Sequence, residues 1–161
     1  MSFNWKLILG GGLTWFVATW LVSFVTGPLI HQNVLMDTYQ ATPGFWRPEL
    51  MQDPPDMAAL MPRWIFTGLI AAFLTALVYS WVRPALTGAG WMRGLKYGVI
   101  VLLLLVAYVL NYSGVFNLPD RIWTWWVIES AVVLLAGGAA LGWVAEKLAP
   151  LVGERLAART A

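Results

Sequence analysis

No cysteine occurs in this chain, which excludes disulfides, thiolate metal sites, iron–sulfur clusters and thiol catalysis together. Histidine is nearly as scarce. His31 stands alone, so one chain cannot supply two imidazoles to a haem. Charge is thin as well: 11% of the 161 residues are charged, against about 25% in a soluble globular domain. The formal net charge of +2 is too small for a nucleic-acid footprint, and no nucleic-acid partner is expected. Enzyme signatures are missing too. There is no Gly-rich phosphate loop after a strand, no G-x-S-x-G and no H-E-x-x-H. The sequence therefore leans away from an enzyme, and no catalytic residue or cofactor is assigned.

Apolar residues fill the space these absences leave. They make up 60% of the chain, and the mean hydropathy is +0.70. Four runs dominate, at residues 7–30, 64–82, 94–116 and 122–144. A helix needs roughly 20 apolar residues to cross the hydrocarbon core, and each run meets that length. Sustained two-residue alternation is lacking, which argues against strands. The first run follows only Lys6 and lacks a small-residue cleavage site, so it reads as a span and not a secretory leader. The expectation is a single all-α domain over 1–161, a four-transmembrane-helix bundle with a long external loop at 31–63.

Lys6, Arg83, Arg93, Lys96, Lys147, Arg155 and Arg159 fall on one side of such a bundle. Arg47, Arg63 and Arg121 fall on the other, among Asp37, Glu49, Asp53, Asp56 and Asp120. The positive-inside rule then predicts a multi-pass protein of the cell inner membrane with both termini cytoplasmic. The external loop is broken by Pro43-Gly44, Pro48 and Pro54-Pro55. Asp53 is expected to cap a short amphipathic helix from Pro54 through about Met61, a candidate lid.

Glu129 is the residue that composition does not explain. An ionised carboxylate in hydrocarbon costs about 3 kcal/mol by insertion scales, and this one lies about 10 Å below the external boundary of the fourth span. Tyr108, Asn111 and Tyr112 on the third span, Thr26 and His31 on the first, and Arg63 at the head of the second fall in the same outer half. Two readings follow. In one, Glu129 is hydrogen-bonding glue between helices. In the other, Glu129, Asn111, Tyr108, Tyr112, His31 and Arg63 line an outward-facing pocket for a small or lipophilic ligand. His31 with Met36, Met51, Met57 and Met61 also makes a soft donor set for Cu(I). The same methionines serve as apolar packing, and no metal is assigned.

Small residues at four-residue spacing let helices approach closely. Gly68, Ala72 and Ala76 form one row, Gly90, Gly94 and Gly98 a second, Gly138 and Gly142 a third. Helical phase puts Ala136 and Ala140 within roughly 20° of Glu129, with Gly138 and Gly142 nearly opposite. That face is a candidate contact for a second copy or a membrane-complex partner; membrane lipid is the other expected partner.

The sequence reads Tyr79, Arg83-Pro84-Ala85-Leu86, Arg93-Gly94-Leu95-Lys96-Tyr97-Gly98, Tyr108, Asn111-Tyr112 and Leu118-Pro119, then the acidic Glu129 in the last helix. Over roughly the last two-thirds this resembles small uncharacterised bacterial four-helix integral membrane proteins, of the domain-of-unknown-function class. The resemblance implies the four-helix topology and brings no activity with it. Two functions compete: binding or transport of a lipophilic ligand around Glu129, or a structural or assembly subunit of a larger membrane complex.

Overall fold

The computed structural model describes residues 4–151. Five helices build it. Four are long and apolar enough to cross a membrane: α1 (Leu7–Gln32), α3 (Met57–Val82), α4 (Gly90–Ser113) and α5 (Asp120–Leu148). The short α2 (Met36–Gln40) lies in the loop between α1 and α3. No strand occurs among the described residues. The expected all-α four-helix bundle is therefore the fold, and its four apolar helices make it a multi-pass membrane protein by length and composition. Lipid-type exposure fits this: Leu103 and Leu110 on α4 are 63% and 69% exposed, normal against acyl chains and hazardous in water.

Each long helix starts and stops for local reasons. Asp56 caps α3, its carboxylate accepting the Ala59 N–H at 3.0 Å. α3 then runs without interruption through Pro62. The separate amphipathic helix expected over 54–61 does not form. Asp56, and not Asp53, supplies the cap, so the first capped turn begins at Met57 and is the first turn of the span itself. The short loop helix is instead α2. Pro84 closes the turn after α3, and Gly88 takes the left-handed conformation (φ 108°) that leads into α4.

α1 is not uniform. It opens and closes on wide π-type turns, Leu7–Gly11 and Pro28–Gln32. In the second, Pro28 has no N–H to return to the preceding turn, and the helix widens there.

Packing differs between the two ends of the bundle. At the end where the chain starts and finishes, Trp15, Ala72, Ala76, Tyr79, Tyr97, Leu141 and Ala145 form a core from all four long helices. Tyr97 donates to the Thr75 carbonyl at 2.9 Å, tying α4 to α3. Along α4 and α5 the glycine rows meet backbone to backbone. A Cβ on Gly94 would stand 1.9 Å from the Gly138 carbonyl oxygen, and one on Gly142 2.1 Å from that of Gly90. The Gly138/Gly142 face, a candidate contact for a second copy or a complex partner, packs here against α4 of the same chain. At the loop end, Ile30, Leu35 and Ile122 make a smaller core with Tyr39, Trp46 and Trp126 around it. α3 packs on α1 and makes little close backbone contact with α5.

Candidate functional site

That separation leaves a cleft of about 940 Å³, walled by α1, α3 and α5. Trp20, Phe24, Met57, Met61, Trp64, Val133 and Leu134 make most of its surface. No residue of α4 lines it, so the fourth side of the bundle is open at this depth. Thr67 and Ala71 of α3 line the cleft and are exposed. The opening therefore faces sideways as well as toward the loops.

Thr19, Ser23, Gln32, Thr67 and Ser130 also line the cleft, and Glu129 with His31 is its ionisable pair. Glu129 Oε2 stands 2.9 Å from His31 Nε2, and Glu129 Oε1 accepts the Thr26 hydroxyl at 2.7 Å. His31 Nδ1 lies 2.7 Å from the Tyr39 hydroxyl, which also accepts the Trp126 indole N–H at 2.9 Å. Five side chains from α1, α2 and α5 form one continuous chain of hydrogen bonds. The Glu129 side chain is only 14% exposed, so both its oxygens are paired where water is scarce.

The wide turn in α1 makes this possible. Thr26 and His31 are five residues apart, which on an ordinary α-helix turns them about 140° away from each other. The π-type turn at Pro28–Gln32 reduces that angle, and both side chains reach one carboxylate. Such turns recur at functional sites.

The chain's directions follow from its members. Trp126 can only donate, so Tyr39 oxygen accepts from it. When the phenol's own proton turns to His31 Nδ1, the imidazole proton lies on Nε2, facing Glu129. Every donor and acceptor is matched when His31 is neutral and Glu129 ionised. Tyr39, outside the spans, is held above its ordinary pKa of 10.0, chiefly by burial, with the Trp126 hydrogen bond opposing and the Glu129 charge reinforcing.

No family model, curated protein or solved structure matches this chain. The functional reading therefore stands on the site itself.

Of the residues singled out from sequence, Glu129 and His31 meet in the cleft wall, joined by Thr26. Asn111, Tyr108 and Tyr112 do not join them. They sit on the outward face of α4, Tyr108 stacked with Tyr112 at 6.4 Å and 65% exposed. The partners expected for Glu129 there are replaced by His31 and Thr26. Arg63 is exposed on α3 and does not line the cleft; its charge acts on Glu49, whose carboxyl is held below the ordinary range by a backbone hydrogen bond and by Arg47 at 3.0 Å. Among the methionines, Met57 and Met61 share the cleft with His31, whereas Met36 and Met51 do not line it. Among the described residues no three His, Cys, Asp or Glu side chains gather as a metal site. Tyr39, Trp126 and Trp64 were not singled out as site residues. Tyr39 and Trp126 reach His31 only through the folded loop, and the sequence carries no local signal for that.

Proposed function

We propose that this is a cell inner-membrane protein, both termini cytoplasmic, that binds a small lipophilic ligand in the cleft and serves its passage within or across the bilayer. It belongs, in this reading, with the small bacterial four-helix membrane proteins that its last two-thirds resembles. One observation carries the proposal: a cleft of about 940 Å³, at the upper end of ordinary ligand sites, whose largely apolar wall carries the paired Glu129 and His31. An intramembrane ionisable pair used only as glue needs no cavity beside it. The basic residues of the terminal end support the orientation, with the cleft then opening toward the outer leaflet.

Native mass spectrometry of protein extracted in mild detergent tests this reading. The wild type retains a lipophilic molecule, and Ala71→Trp, which places an indole in the open side of the cleft, loses it while remaining folded. Retention by Ala71→Trp at the wild-type level counts against the cleft. The outward face of α4, with Leu103, Tyr108 and Leu110 exposed, favours a second reading as an assembly subunit. Its mark is a stoichiometric protein partner in the same extract.

A further inference from the structure

The charge in the cleft has one sign. Among the described residues, Glu129 is its only carboxylate, and neither lysine nor arginine lines it. With His31 in the neutral form that donates from Nε2 to Glu129, the wall carries one net negative charge beside apolar surroundings. Facing the same space are the rings of Trp20, Phe24 and Trp64 and the thioethers of Met57 and Met61. Aromatic faces attract cations, and more strongly where water is excluded; methionine sulfur is polarisable and adapts to varied shapes. An anion meets repulsion here. A neutral molecule leaves the carboxylate charge unanswered.

We propose that the cleft takes lipophilic cations, hydrophobic amines or quaternary ammonium and phosphonium ions, and that a proton on His31 displaces them. This rests on the reading of the cleft as a ligand site. Protonation gives His31 two N–H donors, one toward Glu129 and one toward Tyr39, and the pair becomes neutral overall. Tyr39 oxygen then receives two donors and its own proton turns away from the ring. One proton is taken up as one cation leaves. The groups around the pair do not compete for this role. From the loop only Tyr39 touches it, and α3 and α4 present no ionisable side chain to the cleft. On α5, Arg121 lies outside the cleft and pairs with Asp37 at 3.7 Å.

Tetraphenylphosphonium and tetraphenylborate share a shape and differ in charge sign. Their binding to the full chain in lipid nanodiscs, with protein-free nanodiscs as the blank, decides the matter. Phosphonium binds saturably at about pH 8 and at least about tenfold more weakly at about pH 5. Borate does not bind saturably. Glu129→Gln weakens phosphonium binding at least about tenfold, and His31→Gln flattens the ratio of its two affinities across pH. Thermal melts establish that the variants are folded; should Glu129→Gln unfold, the pH ratio and the borate comparison in the wild type still decide. Saturable borate binding, or phosphonium binding indifferent to Glu129→Gln, overturns the cation inference and leaves the cleft reading standing. No saturable binding of either ion overturns it too, and if no lipophile co-purifies the cleft reading goes with it.

Discussion

Tyr39 shows how much one loop residue can hold. Its oxygen accepts from Trp126, and its proton orients His31, so it fixes which imidazole nitrogen faces Glu129. Tyr39→Phe removes both bonds and leaves the Trp126 N–H and His31 Nδ1 without this partner. An unsatisfied buried group costs about 1–3 kcal/mol, and a lowered thermal midpoint in detergent is the expected result. The residue also carries a pH signature. Burial raises its pKa in the folded state, so the folded protein resists ionisation that the unfolded chain allows. The stability linked to Tyr39 is complete below pH 10.0, the unfolded value, and is lost as pH rises through the folded one. Ultraviolet difference titration of wild type against Tyr39→Phe should show the missing phenolate appearing only on the alkaline side of 10.0. None of this was legible in the sequence, because Tyr39 and Trp126 are 87 residues apart and meet only after the loop has folded.

The elements were more legible than their faces. Four apolar runs announce four spans because hydrocarbon thickness sets a minimum helix length. Where each helix turns its polar residues is another matter. Lipid is as apolar as the bundle interior, so a membrane helix has little contrast to reveal its inward side. Asn111, Tyr108 and Tyr112 lie exposed on α4 and do not line the cleft. Glu129 was legible because its cost constrains it. The glycine rows were legible as close-packing surfaces, and the structure pairs two of them with each other. Gly94→Ala drives a methyl into the Gly138 carbonyl, and neither backbone is free to retreat. A loss of about 1–3 kcal/mol or more is expected, read as a lower unfolding midpoint. Gly44→Ala, with nothing within 4 Å of the added Cβ, should leave the midpoint unchanged.

The whole molecule combines a closed end and an open one. Four helices share a core near the termini, and α3 parts from α5 nearer the loops. Its orientation can be tested with unusual economy, since the chain has no cysteine to give a background. Gln52→Cys in intact cells should react with an impermeant maleimide, whereas Thr87→Cys should react only after permeabilisation. The reverse pattern would invert the topology and point the cleft toward the cytoplasm.

Because the cleft opens sideways, it has no vacant state in a bilayer. Neighbouring acyl chains occupy it whenever nothing else does, and any guest must evict them. Swapping one hydrocarbon for another gains little, since no apolar surface leaves water in the exchange. If the cleft binds the proposed ligand, selectivity falls almost wholly to Glu129 and its hydrogen-bonded company, which lipid tails cannot satisfy. Greasiness brings a molecule to the door; the buried carboxylate decides which one stays.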